Sequence, residues 1–395
     1  MKTAILVLSQ SGLNLARGLR ASPAWPETVV FGPSCVVGRC GGGPVGDGQS
    51  PSNLSKTFPS GEPGVFGWIG PLRLVVPEVW REYDAIVAVM ALGIVVRLIG
   101  PLAADKRRDP AVVVVDDAGR FAIPVLGGHG AGANDLARRV ADLLGATPVI
   151  TTASDAQGLP AVDEIGRDRG WRIERIENLT RVAAAVVRRQ TVAVYQDSGG
   201  RDWWLRFGPW PEHFVRVESW DEIARLDPTA VLVISDRIEP VSLPDGRTLV
   251  YRPRTLVAGI GCKRGTTCET IAAHVEATFA AEGLAIGSLA AVATVTLKAD
   301  EPGLIAFARS RGVPFLAYPP EELVDVPGIE TPSERVRSKI GIPAVSEPAA
   351  LRASGATVLL VTKTKGPGVT VAVARASGNA TPYHIGIGVG PNPGA

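Results

Sequence analysis

Residues 121–163 read FAIPVLGGHGAGANDLARRVADLLGATPVITTASDAQGLPAVD and decide the fold of the chain around them. An apolar run leads into a glycine-rich loop that carries a histidine, and an amphipathic segment follows. A second apolar run then ends in a Thr-Thr pair and an aspartate. This order is typical of strand, loop, helix and strand in an open α/β sheet, where ligands bind at the carboxyl ends of strands.

The segment Asn134–Leu144 is predicted to be a helix, because Leu136, Val140 and Leu143 share one face at helical spacing. Asn134 is a residue type that caps helix starts, and Gly145 suits the helix end. A helix is therefore expected to begin directly after the glycine loop.

The runs Ala111–Val115 and Phe121–Val125 are predicted to pair as strands around a turn at Asp116–Gly119. The glycine- and proline-rich stretch Gly32–Pro71 predicts a long surface loop. The further strands and helices predicted in this part of the chain are Lys2–Leu8, Leu13–Leu19, Tyr83–Met90, Ala91–Leu102 and Pro148–Thr152. Their alternation predicts a parallel, layered α/β sheet.

At 395 residues the chain is too long for one ordinary core. We predict an α/β protein with an N-terminal layered α/β domain at 1–162 and a small α/β connecting domain at 163–253. A C-terminal α/β domain is predicted at 254–380, and a flexible tail at 381–395.

The composition excludes several classes of function. The net charge of +2 gives no reason to expect nucleic acid or an anionic membrane surface as a partner. The four cysteines have neither metal-ligand spacing nor the density of a disulfide framework. The N-terminus MKTAILVLSQSGLN predicts a buried strand rather than a signal peptide, and no apolar run is long enough to cross a membrane. A soluble cytoplasmic protein is expected.

The glycine loop has two interpretations that its residues leave open. His129 is a candidate general base, and Asn134 with the N–H groups of the helix start is a candidate oxyanion site. Alternatively, the loop is a tight strand-to-helix turn whose histidine bonds to the backbone. The loop matches neither the phosphate-loop pattern nor the dinucleotide fingerprint.

Polar residues near this loop are further candidates for substrate binding. Thr151, Thr152 and Asp155 follow a predicted strand, where they either bind a polar substrate or a water, or simply cap the next segment. Arg97 and Lys106 flank the predicted helix before the hairpin, although the charged run around Lys106 is typical of a solvated turn.

Three cations of the C-terminal domain follow or flank predicted strands: Arg264, Lys298 and Lys363. If these strands are parallel, the cations converge on one edge and suit a ligand with several carboxylates. Cys262 is better explained as a small buried residue than as a nucleophile, because no histidine lies near it in the sequence. No cluster has metal-ligand spacing, so no metal site is expected.

Four segments together resemble the cobalt-precorrin-5A hydrolase family, which acts in the anaerobic route to cobalamin. They are MALGIVVRLIGPLAADKRRDPAVVVVDDAGRFAIPVLGGHGAGANDLARRVADLLGATPVITTASD, LVAGIGCKRGTTCETI, VTLKADEPGL and VLLVTKTKGPGVTVAVARA. They cover the predicted first and third domains in order, which makes the combined match far more specific than any single motif.

The resemblance implies a substrate and a reaction. The substrate is a cobalt-bearing, ring-contracted tetrapyrrole with a δ-lactone; water opens the lactone and the extruded carbon leaves with its methyl group as acetaldehyde. The product is cobalt-precorrin-5B. No cofactor is expected, because the cobalt is carried by the substrate. Transient contact with other enzymes of the pathway is expected, and contact with nucleic acid or membrane is not.

The chemistry then suggests roles for individual residues. His129 activates water, Asn134 holds the tetrahedral oxyanion, and Asp155 orients His129 or a water. The residues proposed to bind the substrate are Arg97, Lys106, Thr151, Thr152, Arg264, Lys298 and Lys363. Arg264, Lys298 and Lys363 are expected to face the same macrocycle.

Two other classes of function remain open at this stage. The first is a non-catalytic carrier that passes tetrapyrrole intermediates between pathway enzymes. The second is an enzyme that binds a phosphate or nucleotide in the glycine loop, which the sequence of the loop disfavours. Acetaldehyde release distinguishes the hydrolase from the carrier.

Overall fold

The computed structural model describes residues 1–23, 25, 27–38, 57–105, 108–128, 130–239 and 243–376. The chain divides into two compact units, Met1–Gln157 and Gly158–Ala395, here called unit 1 and unit 2. The α/β class is confirmed, because helices alternate with the strands of three sheets. The three domains with their predicted bounds stay a prediction, and the predicted tail lies outside the described residues.

The sheet of unit 1 is mostly parallel. Its described strands are β1 (Thr3–Val7), β2 (Thr28–Pro33), β3 (Thr57–Pro59), β4 (Val65–Trp68), β5 (Ala85–Val89), β6 (Ala111–Val115), β7 (Phe121–Leu126) and β8 (Thr147–Pro148). Their order is β3-β4-β2-β1-β5-β6-β7-β8. Strands β4, β2, β1, β5 and β6 are parallel. Strand β3 is antiparallel to β4, and β7 is antiparallel to β6 but parallel to β8.

Helices cover both faces of this sheet. The described helices are α1 (Gln10–Arg20), α2 (Ser34–Val37), α3 (Val76–Glu82), α4 (Leu92–Ile99), α5 (Ala133–Leu144) and α6 (Ala153–Ala156). Val113 and Val115 of β6 belong to the buried cluster under α1 and α5, and Val112 and Val114 to the cluster under α3 and α4. Each fully buried valine contributes about 1.5–3 kcal/mol of hydrophobic stabilisation. Strand β6 therefore contributes buried side chains to the helix layers on both faces of the sheet.

Some predicted bounds differ from the structure. The hairpin of β6 and β7 is confirmed, but the strand predicted at Pro148–Thr152 pairs only over Thr147–Pro148. The N-cap of α5 is Gly132, whose φ of 83° suits glycine, and Asn134 lies inside the helix. The predicted loop Gly32–Pro71 contains β3, β4 and α2, while its residues 39–56 lie outside the described residues.

Unit 2 contains two sheets. The first has the order β11-β10-β12-β13-β9, the second the order β16-β15-β14-β18-β17. The strands are β9 (Arg172–Glu174), β10 (Val192–Gln196), β11 (Phe214–Val217), β12 (Ala230–Ile234), β13 (Thr248–Arg252), β14 (Leu256–Cys262), β15 (Leu289–Val295), β16 (Phe315–Tyr318), β17 (Leu359–Gly366) and β18 (Val369–Arg375). The helices are α7 (Leu179–Val187), α8 (Trp220–Leu226), α9 (Cys268–Ala281), α10 (Pro302–Arg311), α11 (Glu334–Ile340) and α12 (Ser346–Ser354).

A buried ion pair joins the two sheets of unit 2. Asp236, which follows β12 and is 0% exposed, accepts two hydrogen bonds from Arg375 at the end of β18, at 2.6 and 2.8 Å. The hydroxyl of Thr255 donates to the same carboxylate at 2.7 Å. Because three donors satisfy this buried carboxylate, the contact fixes the position of one sheet relative to the other.

Replacement of Arg375 by leucine is expected to lower the free energy of unfolding by about 3–5 kcal/mol, because it leaves the buried Asp236 carboxylate without its charged partner. Urea unfolding followed by circular dichroism measures this loss. The control is Arg337→Leu, which removes an exposed pair with Glu334 and should cost about 0–1 kcal/mol. Equal losses in the two variants would contradict the role of Arg375.

Candidate active site

The glycine loop lies at the amino edge of the sheet, where the parallel strands begin. Strand β7 runs antiparallel to β6, and Leu126 at its end pairs with Val112 at the start of β6. Gly127 has a φ of 72°, and a side chain there would lie 3.2 Å from the carbonyl oxygen of Pro110. The loop follows the end of β7, as the sequence indicated, but because β7 is antiparallel to β6 it lies at the amino edge of the parallel strands.

The backbone of the loop already uses several of its own donors. The N–H groups of Ala131 and Ala133 donate to the carbonyl of Gly127 at 3.2 and 3.0 Å. The N–H of Asn134 donates to the carbonyl of Gly128 at 3.0 Å. These three N–H groups therefore close the loop onto itself, and they hold an oxyanion only if the loop rearranges.

Asn134 is the centre of a buried polar cluster. It is 2% exposed, and its Nδ2 donates to Thr152 Oγ1 and to Asp155 Oδ2, both at 3.0 Å. The Thr152 hydroxyl donates to the same carboxylate oxygen at 2.5 Å, and Arg138 pairs with Oδ1 of Asp155. Because Asp155 needs a donor, the nitrogen of the Asn134 amide must face it, and both of its N–H groups are occupied.

This geometry changes the role expected for Asn134. A buried amide whose donors are occupied is a positioning group rather than an oxyanion donor. Its Oδ1 is buried without a hydrogen-bond partner among the described residues, and a side chain on Gly128 would come within 3.1 Å of it. The cluster of Asn134, Thr152 and Asp155 thus packs directly under Gly128, the residue that precedes the loop histidine.

The other predicted residues of unit 1 are placed differently. His129 and Lys106 lie outside the described residues. Thr151 is exposed next to the buried cluster, and Arg97 is exposed on α4. The structure therefore brings Asn134, Thr152 and Asp155 together, while Arg97 lies on a separate element.

A second polar cluster, which the sequence did not reveal, lies at the carboxyl edge of the same sheet. The hydroxyls of Ser9 and Ser11 both donate to the Asp117 carboxylate, and the Ser9 oxygen also accepts the N–H of Gly12 at 2.9 Å. The hydrogen bonds from Ser11 and then from Ser9 lower the pKa of Asp117 below its usual value. In the sequence, only Asp117, the second aspartate of the turn between β6 and β7, indicated a polar group at this place.

Two of the three predicted cations of unit 2 lie at one corner. Arg264 follows β14 and contacts Asp300 at 3.2 Å, while Lys298 follows the neighbouring parallel strand β15 and contacts Glu301 at 3.3 Å. Glu301 is 1% exposed and also accepts the N–H of Gly265 at 2.5 Å. Both cations are therefore at the carboxyl edge of this sheet, as expected for parallel strands.

Lys363 lies inside a strand rather than after one, because β17 runs on to Gly366. Its N–H donates to Oε1 of the fully buried Glu347 at 2.9 Å, and its Nζ donates to the carbonyl of Thr331. Burial lowers the pKa of the Lys363 amine, against the opposing effect of Glu347. Strands β14 and β17 are both antiparallel to β18, so β17 runs toward the same edge as β14, but Lys363 comes before the end of its strand. Its convergence with Arg264 and Lys298 on one ligand stays a prediction.

Cys262 remains protonated at neutral pH. Burial raises the pKa of its thiol, and the nearby Lys298 only partly opposes that effect. A protonated, half-buried thiol is a weak nucleophile, which favours the packing role. Among the described residues, no three His, Cys, Asp or Glu side chains gather as metal ligands do.

In the described part of the chain no helix has both the length and the apolar character that spanning a membrane requires. Comparison with known proteins gives three family matches in chain order. They are Cobalamin synthesis G N-terminal over residues 75–155, Cobalamin biosynthesis central region over 160–253, and Cobalamin synthesis G C-terminus over 256–374.

Individual relatives and one solved structure are similar to this chain as well. A cobalt-precorrin-5A hydrolase of Priestia megaterium is 41% identical over 300 residues, which is 75% of this chain and 79% of the relative. A cobalt-precorrin-5A hydrolase of Salmonella typhimurium is 32% identical over 313 residues, or 76% and 88% of the two chains. A solved cobalamin biosynthesis protein G homologue from Sulfolobus solfataricus is 22% identical with a TM-score of 0.36, and the match covers 95% of this chain and 97% of that one.

Replacement of Asn134 by leucine is expected to lower the free energy of unfolding by about 1–3 kcal/mol, because Asp155 and Thr152 lose a buried hydrogen-bond donor. Thermal unfolding of the purified variant measures the loss. Asn14→Leu is the matched control, since Asn14 is exposed on α1 and its side-chain bonds are 3.5 Å long. A loss no larger than that of the control would contradict the buried cluster.

Replacement of Glu347 by glutamine is expected to remove an acid-sensitive part of the stability. Burial alone would raise the pKa of Glu347, but hydrogen bonds from Thr331, Lys363 and Glu330 outweigh it and hold the pKa below 4.5. A lowered folded pKa stabilises above the unfolded value, and this stabilisation is lost as the pH falls through the folded pKa. The free energy of unfolding, measured with urea at neutral and at acidic pH, should change less with pH in the variant than in the original chain. The same pH dependence in both chains would refute this.

Proposed function

Because the chain belongs to the cobalamin synthesis G family, we propose that it hydrolyses cobalt-precorrin-5A to cobalt-precorrin-5B and acetaldehyde. The observation that carries this function is the 41% identity, across three quarters of the chain, with a curated cobalt-precorrin-5A hydrolase. The chain is thus a hydrolase of cobalamin biosynthesis. Its substrate is a cobalt-bearing tetrapyrrole, and the cobalt arrives with the ring.

The reaction breaks two bonds of the substrate, the acyl carbon–oxygen bond of the lactone and the carbon–carbon bond to the extruded carbon. A water oxygen bonds to the acyl carbon of the δ-lactone, and the tetrahedral intermediate releases the ring oxygen with its electron pair. The extruded carbon keeps that oxygen and its methyl group and leaves as acetaldehyde. The electron pair of the broken carbon–carbon bond stays on the macrocycle, which takes up a proton. A general base for the water and stabilisation of the oxyanion are therefore the main requirements.

His129 is the proposed general base. An imidazole with an ordinary pKa of about 6.5 is poised to accept a proton near neutral pH. Support comes from the residue before it in the chain, because Gly128 packs on Asn134 and Thr152. The backbone is therefore anchored at Gly128, directly before His129.

Asn134, Thr152 and Asp155 are proposed as positioning residues for this loop. The Asp155 carboxylate is held by Asn134, Thr152 and Arg138, so its charge is well satisfied within the cluster. Removal of any of these donors changes the surface on which Gly128 rests. Asp155 therefore acts on the reaction through the loop.

The carboxylates of the substrate call for exposed cations. Arg97 and Lys106 in unit 1, and Arg264 and Lys298 in unit 2, are proposed to pair with acetate and propionate groups. Thr151 is proposed as a neutral contact, because it is exposed beside the buried cluster. Lys363 is better assigned to holding Thr331 and Glu347 together.

The cytoplasm is the proposed compartment, since the described cysteines Cys35, Cys262 and Cys268 all carry free thiols. The enzyme is proposed to need no cofactor of its own, because lactone hydrolysis requires only water and proton transfer. Transient contact with enzymes that precede and follow it in the pathway also stays a prediction.

Replacement of His129 by alanine is expected to slow acetaldehyde release by about 10²–10⁴-fold, because the attacking water loses its general base. The assay is anaerobic incubation with cobalt-precorrin-5A, with acetaldehyde measured over time and substrate binding measured by the absorbance of the macrocycle. Binding should persist in the variant.

The control is His213→Gln, since His213 lies in unit 2 with its ring against Phe214 and should leave turnover near normal. Near-normal turnover in His129→Ala would remove His129 from the mechanism. Binding by the original chain without any acetaldehyde would instead support the carrier.

A further inference from the structure

Helix α4 leaves an apolar face uncovered. Only Val95 and Ile99 of its eight residues are buried, and they pack on the sheet. Leu92, Ile94 and Val96 are 40%, 40% and 48% exposed. Three large apolar side chains exposed within one short helix are more than the scattered single cases of an ordinary protein surface, and they mark a binding face.

The centre of this outward face is bare backbone. At 100° per residue, Gly93 and Arg97 point away from the sheet, with Leu92 and Val96 along one flank and Ile94 along the other. A side chain at Gly93 would meet nothing within 4 Å, and its φ is not positive. The fold itself therefore does not require glycine there, although glycine weakens a helix. A flat ligand that approaches the helix backbone closely does require it.

Arg97 supplies the only charge in α4. It is exposed, and no ion pair to a carboxylate occurs for it among the residues that the structure describes. A ligand that suits this face is therefore flat and apolar over one surface, with an anionic group at its rim. A tetrapyrrole fringed with carboxylates has this chemistry.

The position of α4 fits such a ligand as well. After β1 the chain forms β2 and β4 on one side of β1, and it then returns to form β5 and β6 on the other side. The direction of the strand order therefore reverses between β1 and β5, which is the switch point of the sheet. Helix α4 starts at the carboxyl end of β5 and leads back to the start of β6. Its last turn, with Arg97, therefore approaches the edge that also holds the glycine loop. The helix is about 12 Å long, comparable with a macrocycle.

We propose that the outward face of α4 is the platform on which one face of the substrate macrocycle lies, with Gly93 beneath the ring and Arg97 paired to a peripheral carboxylate. This assignment rests on the proposed function. It adds the place where the ring binds and the residues that set its orientation. A second copy of the chain is the competing occupant of an exposed apolar helix face.

Two pairs of variants test the platform. Gly93→Ala places a methyl group under the ring, and its control Gly18→Ala fills equally open space on the exposed face of α1. Val96→Glu places a negative charge beside the ring carboxylates, and its control Leu143→Glu does so at an exposed leucine of α5. The probe is cobyrinic acid, a cobalt corrinoid with free carboxylates, and its Kd is measured by absorbance titration.

Gly93→Ala and Val96→Glu should each raise the Kd about tenfold or more, whereas the two controls leave it unchanged. Gly93→Ala should at the same time keep or raise the melting temperature, as Gly18→Ala does, because alanine favours a helix. Lower affinity without lower stability is a result that a purely structural role for Gly93 does not give.

An unchanged Kd in both α4 variants would overturn the platform. The platform would also be overturned if sedimentation velocity showed that the original chain self-associates and that Val96→Glu abolishes this self-association while corrinoid binding is retained. Failure of the proposed function is a different result: the original chain would release no acetaldehyde from cobalt-precorrin-5A, whatever the α4 variants do to the Kd of cobyrinic acid.

Discussion

The antiparallel pairing of β7 with β6 is the constraint on which the rest of unit 1 depends. The turn between them is tight because Oδ1 of Asp116 accepts the N–H groups of Arg120 and Phe121, both at 2.7 Å, and Gly119 adopts a φ of 67°. A parallel connection would have carried the glycine loop to the carboxyl edge. The hairpin instead carries it to the amino edge, beside the start of β6. The buried cluster of Asn134, Thr152 and Asp155 then anchors the loop there, and the last turn of α4 ends near that edge.

Buried polar contacts specify the arrangement in both units. In unit 1 the N–H groups of the Asn134 side chain, and in unit 2 the Asp236 carboxylate, have partners from other parts of the sequence. Such groups stabilise only the arrangement that completes their hydrogen bonds, and they destabilise every other compact state. They therefore favour one geometry for the glycine loop of unit 1 and one for the sheet junction of unit 2.

The apolar strands and the β6–β7 hairpin could be predicted from the sequence, because burial and turn chemistry are local patterns. The position of Lys363 inside a strand could not be predicted, because the edge strand β17 continues through polar residues that show no apolar alternation. The Ser9–Asp117 contact joins residues 108 apart, and nothing local indicates it. Asn134 has the residue type of a cap and of an oxyanion donor, and only tertiary packing shows that its donors are occupied.

The central claim is that water opens the lactone on this chain by attack at the acyl carbon. The most direct test is an anaerobic single turnover of cobalt-precorrin-5A in ¹⁸O-labelled water, with the product analysed by mass spectrometry and acetaldehyde measured in parallel. The account predicts one heavy oxygen in the new carboxylate of cobalt-precorrin-5B and one acetaldehyde for each ring. Unlabelled product would contradict acyl attack by water, and unchanged substrate without acetaldehyde would contradict the enzyme itself.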